Sequence, residues 1–159
     1  YNSLKHTKEG ILMPQSDTTE LLHLFSKVRT EKDMERYLSR HASTPSIQDY
    51  FNEYFASHSI TTAEIVSRCK GLISKSYIYD LLNGQKTQPS RDIVLMLCLA
   101  AHMNWKETRR TLELFQLREI YVKDPRDIII ATAINQEQFD IDQINDKLAA
   151  HGLTVLNGG

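Results

Sequence analysis

Apolar residues recur at intervals of three and four along most of this chain, and polar capping residues precede most of the runs, while strand-like alternation is almost absent. The pattern predicts an all-α protein. Residues 1–16 hold Gly10 and Pro14 among polar residues without a period, which reads as a flexible arm. Asp17 with Glu20 forms a capping box for a helix to about Arg29, with Leu21, Leu22, Phe25 and Val28 on one stripe. Thr30 caps a second helix, with Met34, Tyr37, Leu38 and His41 on one face. A boundary belongs at 42–45, because Pro45 disfavours helix at Thr44 and suits a following first turn. From Pro45 to His58, the apolar residues Ile47, Tyr50, Phe51, Tyr54 and Phe55 make a stripe that must pack on something.

Two short helices follow. Thr61 with Glu64 opens the first, which turns Ile65, Val66 and Cys69 inward and ends near Lys70-Gly71. Ser74 caps the second, whose buried face is Ile78, Leu81 and Leu82, closed by Asn83-Gly84. Past the polar loop 85–88, Pro89 starts a helix with Ile93, Met96, Leu97, Ala100 and Ala101 inward. Asn104 with Glu107, Asp124-Pro125, and Asp140 with Gln143 open three more. The expected organisation is an arm (1–16), an N-terminal helical extension (17–44), a central domain (45–103), a C-terminal helical extension packed on it (104–156) and a tail (157–159). No internal repeat of useful length is evident. Pro89-Ser90-Arg91-Asp92-Ile93 does echo in Pro125-Arg126-Asp127-Ile128, but helix-start chemistry, a first-turn proline and an acid near the positive end of the dipole, accounts for that. The start at Tyr1 and the closing Gly158-Gly159 read as trimmed ends.

At 159 residues, 41% of them apolar and 25% charged, the chain has the balance of a folded globular protein rather than a disordered one. A formal charge of -1 excludes a global pull toward nucleic acid, so any such surface must be local. No apolar run approaches the ~20 residues that span a bilayer, and no signal peptide is evident, so no membrane association and a cytoplasmic location are expected. Cys69 and Cys98 fall inside apolar patterns and read as buried thiols. The histidines at 6, 23, 41, 58, 102 and 151 show no metal-ligand spacing, and no phosphate loop or nucleophile motif stands out. Neither metal, cofactor nor enzymatic activity is expected. Trp105 reads as an anchor of a helix junction.

The informative succession runs from residue 46 to 103: a long helix, two short helices joined by a glycine-containing turn, a polar loop and an apolar helix. Its segments are Thr61-Thr62-Ala63-Glu64-Ile65-Val66, Ile73-Ser74-Lys75-Ser76-Tyr77-Ile78, Leu82-Asn83-Gly84-Gln85-Lys86, Pro89-Ser90-Arg91-Asp92 and Leu97-Cys98-Leu99-Ala100. It resembles the lambda-repressor-like, or XRE-family, helix-turn-helix domain. The resemblance implies a transcriptional regulator that reads the major groove of double-stranded DNA with the helix starting at Ser74.

With Ile78 on the core, the 100° step per residue turns Lys75, Ser76, Tyr79 and Asn83 sideways or outward, where each can donate to a base edge. By resemblance, Thr62 and Thr61 hold phosphate at the first short helix, Ser74 at the second, and Gln85, Lys86 and Thr87 in the following loop, with Arg91 beside them. Five basic residues (Arg68, Lys70, Lys75, Lys86 and Arg91) stand against Glu64 and Asp80 between Thr61 and Arg91. Lys5, His6 and Lys8 give the N-terminal arm either a groove-reaching role or that of a disordered tail. Ile128, Ile129 and Ile130 exceed what one amphipathic face needs, so either a neighbouring helix or a homodimer interface buries them. The competing reading is a protein-interaction adaptor on the same fold, with a regulatory protein as its partner.

Overall fold

The computed structural model describes residues 18–42 and 46–159, which form nine α-helices and no strand. Among these residues the fold is all-α. The chain divides into two compact units, Tyr1–Thr44 and Pro45–Gly159. The arm at 1–16, the Asp17 cap and Pro45 lie outside the described residues.

In the first unit, α1 (Thr18–Phe25) is followed by α2 (Glu31–His41). Thr30 caps α2, and Asp33 returns its carboxylate to the Thr30 amide. The Phe25 ring meets Tyr37 edge-on at 5.3 Å, and Tyr37 in turn contacts His41. No residue of α2 is buried, and Leu22, Phe25, Met34 and Leu38 remain exposed.

The second unit contains α3 (Ile47–His58), α4 (Thr62–Arg68), α5 (Lys75–Leu82), α6 (Arg91–Ala100), α7 (Trp105–Leu114), α8 (Pro125–Asn135) and α9 (Ile141–Ala150). Side chains at Ser46, Thr61, Ser74, Ser90, Asn104, Asp124 and Asp140 each accept a first-turn amide, so every helix here begins on a Ser, Thr, Asn or Asp cap. Pro89 stands just before the Ser90 cap rather than inside the first turn of α6. All residues from Ile93 to Ala100 are buried, which makes α6 a central helix and not the one-faced helix its spacing suggests. The reason is that α4, α7 and α9 all pack on it.

The expectation of no internal repeat is overturned by α6–α9. The loop from α6 to α7 opens with His102 at φ 56°, and that from α8 to α9 with Glu137 at φ 55°. In both loops the next amide reaches back into the preceding helix, Met103 to the Cys98 carbonyl and Gln138 to the Ala133 carbonyl, each at 2.9–3.0 Å. Both second helices stop alike: Gln116 and Gly152 take positive φ, and Leu117 and Leu153 donate to Leu112 and Leu148, both at 2.9 Å.

Two arginines join the repeats. Arg91 grips Asp127 with two bonds of 2.9 Å and donates to the Arg118 and Glu119 carbonyls. Arg126 grips Asp92 at 2.7 and 2.8 Å and donates to the Thr154 and Val155 carbonyls. Each arginine thus ties down the end of its own repeat and holds the other repeat's aspartate. The Arg-Asp echo is the trace of this clamp, with the register shifted by one residue in the second loop.

Asp127 is 1% exposed and also receives Arg118 and the Tyr121 amide. Burial works against its charge, yet Arg91, the Tyr121 amide and Arg118 together hold its carboxyl below the ordinary range.

Candidate nucleic-acid interface

Helices α4 and α5 are joined by a turn in which Lys70 and Gly71 both take left-handed conformations, φ 54° and 77°. Gly71 takes its φ without the strain a Cβ would add, whereas Lys70 bears that strain beside it. Leu72 donates back to the Cys69 carbonyl at 2.9 Å, and Ile73 drops into the core at 4% exposure. The turn presents Ser74, whose hydroxyl accepts the Tyr77 amide and starts α5.

Ile78 and Leu81 are fully buried and Leu82 nearly so, which fixes the roll of α5. Lys75, Ser76, Tyr79 and Asn83 lie on its exposed side, with Tyr79 42% accessible. The loop after α5 folds back onto it: the Gln85 and Lys86 amides both donate to the Asp80 carbonyl, and Asn83 Oδ1 accepts the Gln85 amide. The side chains of Gln85, Lys86 and Thr87 are left exposed next to the end of α5. Lys75 and Lys86 have no carboxylate partner among the described residues.

The other positive charges of this segment are engaged. Arg68 donates to the Ala100 carbonyl at 2.8 Å and lies 3.8 Å from Glu64. Lys70 bridges Asp140 and Asp142 at 2.9 and 3.0 Å, tying the turn to the start of α9. These bonds raise the Lys70 ammonium and lower the Asp140 carboxyl, each favouring its charged form. Arg91, expected beside the phosphate ligands, is instead 16% exposed within the Asp127 clamp. Two carbonyls and a carboxylate take four of its five N–H donors, which leaves one on Nη1.

The start of α4 also differs from the expectation placed on it. Thr61 closes a capping box in which its hydroxyl accepts the Glu64 amide and its own amide donates to the Glu64 carboxylate at 2.8 Å. The Thr61 amide and hydroxyl hold that carboxyl below the ordinary range. A negative group therefore occupies the α4 end where Thr61 and Thr62 were expected to take phosphate. Thr62 itself is half-buried.

Sequence reasoning did not reach the segment that braces the turn from the other side. Leu156 is fully buried, and Asn145 clamps its backbone by accepting its amide at 2.8 Å and donating to its carbonyl at 3.1 Å. Gly158 then lies so close to the Leu72 carbonyl that a Cβ there would overlap it. Residue 158 is therefore packed on the turn between α4 and α5, where a loose tail was expected. The only local signal was the glycine, which serves equally in tails.

Cys69 and Cys98 are free and buried, and burial raises their thiols to about 11 and about 12. No group of three or more metal-binding side chains gathers among the described residues. No helix there is long and apolar enough to cross a membrane. Comparison of the chain with protein-family models, curated proteins and solved structures finds no match.

Proposed function

We propose that this protein binds double-stranded DNA in a sequence-specific manner, as a lambda-repressor-like transcriptional regulator with α5 in the major groove. One observation carries the reading: α5 buries Ile78, Leu81 and Leu82 and leaves Lys75, Ser76, Tyr79 and Asn83 exposed, with Lys75 and Lys86 unpaired among the described residues. Lys75, Ser76 and Tyr79 read base edges, and Asn83 contributes its amide donors, since its oxygen holds the Gln85 amide. Phosphate is held by Gln85, Lys86 and Thr87 and by the free amides at the start of α5, where Ser74 uses its hydroxyl as the cap. Thr61, Thr62 and Arg91 leave the set. A two-fold operator implies a homodimer, and the role implies a cytoplasmic location without enzymatic activity.

The test is selection of bound duplexes from random DNA, followed by titration of the selected site. Lys75→Glu is expected to weaken binding at least about tenfold with an unchanged thermal melt. Lys86→Gln is expected to lower the salt dependence by about one phosphate's worth, a slope change of roughly 0.9. Sedimentation of the complex counts the chains per site. Tight binding that survives Lys75→Glu removes α5 from the groove.

A second reading, a protein-interaction adaptor on the same fold, is favoured by Glu64, whose carboxylate stands at the α4 end. It predicts no enriched sequence in the selection and no retention on bulk duplex at low salt.

A further inference from the structure

The two repeats differ in what covers their outer grooves. On the first, α3 lies across α6 and α7. Its Tyr50 hydroxyl pairs with Thr111 at 2.8 Å, and its Tyr54 hydroxyl donates to the Ala101 carbonyl at 3.4 Å and to Glu107 at 3.3 Å. Phe51, between them, is 2% exposed. As the contacts advance along α3 they retreat along α7, so the two helices run antiparallel across the groove.

The repeat assigns counterparts to all three contact positions: Ala101 corresponds to Gln136, Glu107 to Gln143 and Thr111 to Lys147. These three line a groove of about 380 Å³ between α8 and α9, together with Ile129, Ala133 and Ile144. Ile128 is 43% exposed, whereas its counterpart Ile93 is 5% exposed. A groove that one repeat fills with a helix is thus present and open in the other. Another copy of the repeat cannot close it through the clamp, because the Arg91–Asp127 and Arg126–Asp92 pairs are reciprocal, and a reciprocal interface is complete with two members.

We propose that the α8–α9 groove docks an amphipathic helix of a partner protein, seated as α3 is on α6–α7, with an acidic side chain against Lys147. The charge follows from what replaces Thr111. A hydroxyl that shares a proton with Tyr50 gives way to an ammonium, which only donates and has no carboxylate partner among the described residues. One turn along, where Tyr54 meets a carbonyl and a carboxylate, Gln136 offers a donor and an acceptor and Gln143 its amide donors, its oxygen accepting from Gln138 at 2.8 Å, so a residue four positions on can be Gln, Asn or Tyr. Between these polar contacts the half-buried Ile129 offers an apolar edge above Ala133 and Ile144, which floor the groove, and an apolar ridge seated there is the usual form of helix-in-groove recognition.

The probe is a capped peptide of residues 46–59 carrying Tyr50→Glu, titrated into the full ¹⁵N-labelled chain. Amide shifts are expected at Gln136, Gln143, Ile144 and Lys147, saturating below about 1 mM. Lys147→Glu, on an exposed face of α9, is expected to keep the wild-type melt and weaken this peptide about tenfold. The same variant should then take up the peptide carrying Tyr50→Lys instead. Three outcomes overturn the proposal: no shifts at about 1 mM peptide, shifts confined to α6 and α7, or groove shifts that follow protein concentration alone. The last would mean that a second copy covers the groove.

Discussion

Residues 91–121 and 126–157 build the same framework and expose different surfaces. In the first stretch α6 is buried on all sides and the groove beside α7 is filled by Tyr50, Phe51 and Tyr54. In the second, α8 buries Ile130, Ala131, Ala133 and Ile134 but leaves Ile128 exposed and the groove beside α9 open. The difference separates what holds a helix pair together from what it is used for. Loop closures, left-handed caps and the arginine clamp recur in both, so they belong to the framework. The outer faces do not recur. The first carries α3 and α4, which in turn hold α5, and is therefore a pedestal for α5. The second meets the α4–α5 turn through Asp140 and Asp142, which hold Lys70, and leads to Gly158, which lies against Leu72.

The clamp itself is the place to break the comparison hardest. Among the described residues the Asp127 carboxylate has three partners and is 1% exposed, whereas that of Asp92 has Arg126 alone and is 20% exposed. Asp127→Asn leaves Arg91 buried without its counter-charge and is expected to cost about 3–5 kcal/mol. Asp92→Asn, in a wetter setting, is expected to cost about 1–2 kcal/mol, near the range of a charged hydrogen bond. Urea unfolding of both variants measures the gap. Equal losses would mean that the two halves of the clamp bear equal weight despite their different burial.

Acid sharpens the same asymmetry. The folded Asp127 carboxyl titrates below its unfolded value of about 3.9. Its stabilisation is therefore complete above the unfolded pKa and is lost as pH falls through the lower, folded one. Wild-type stability should decline below about pH 4, and Asp127→Asn should flatten that part of the decline. The same decline in both proteins would assign acid sensitivity to other carboxylates.

Local chemistry explains which features could be read from the chain. Thr61 with Glu64 and Asn104 with Glu107 are capping boxes whose donors and acceptors lie three residues apart, so spacing alone located them. The stripe Ile47, Tyr50, Phe51, Tyr54 and Phe55 showed that α3 had to pack on something, without showing what. The clamp role of Arg91 was not legible because its partners, Arg118, Glu119 and Asp127, lie 27 to 36 residues away, and no local signal separates a clamp arginine from a phosphate ligand. Beyond the Arg-Asp echo the repeat leaves no local trace, because its loop closures are backbone bonds, indifferent to side-chain identity, and its arginines reach partners 27 to 36 residues away. Thr108 faces Ile144 in the alignment, Trp105 faces Ile141, and the inserted residue shifts the register halfway. Asn145 and the buried Leu156 are invisible for the same reason, since a side chain that holds a distant backbone leaves no periodicity.

The smallest expected effect isolates the open groove, because it compares one position in its covered and uncovered settings. Burial raises the Tyr50 hydroxyl to about 12, so it stays protonated at neutral pH and shares its proton with Thr111. Tyr50→Phe removes that bond, while Thr111 keeps its bond to the Glu107 carbonyl, so the expected loss is about 0.5–1.5 kcal/mol. At the counterpart of Thr111, Lys147→Thr removes a side chain with no ion-pair partner among the described residues and is expected to change stability by less than about 0.5 kcal/mol. One variant removes the partner of Thr111 and the other alters the counterpart of Thr111, so a measurable loss for Tyr50→Phe beside none for Lys147→Thr marks the second groove as surface the fold does not use. A comparable loss for Lys147→Thr would show that Lys147 already holds the fold, and a partner helix would then have to displace an interaction before gaining one.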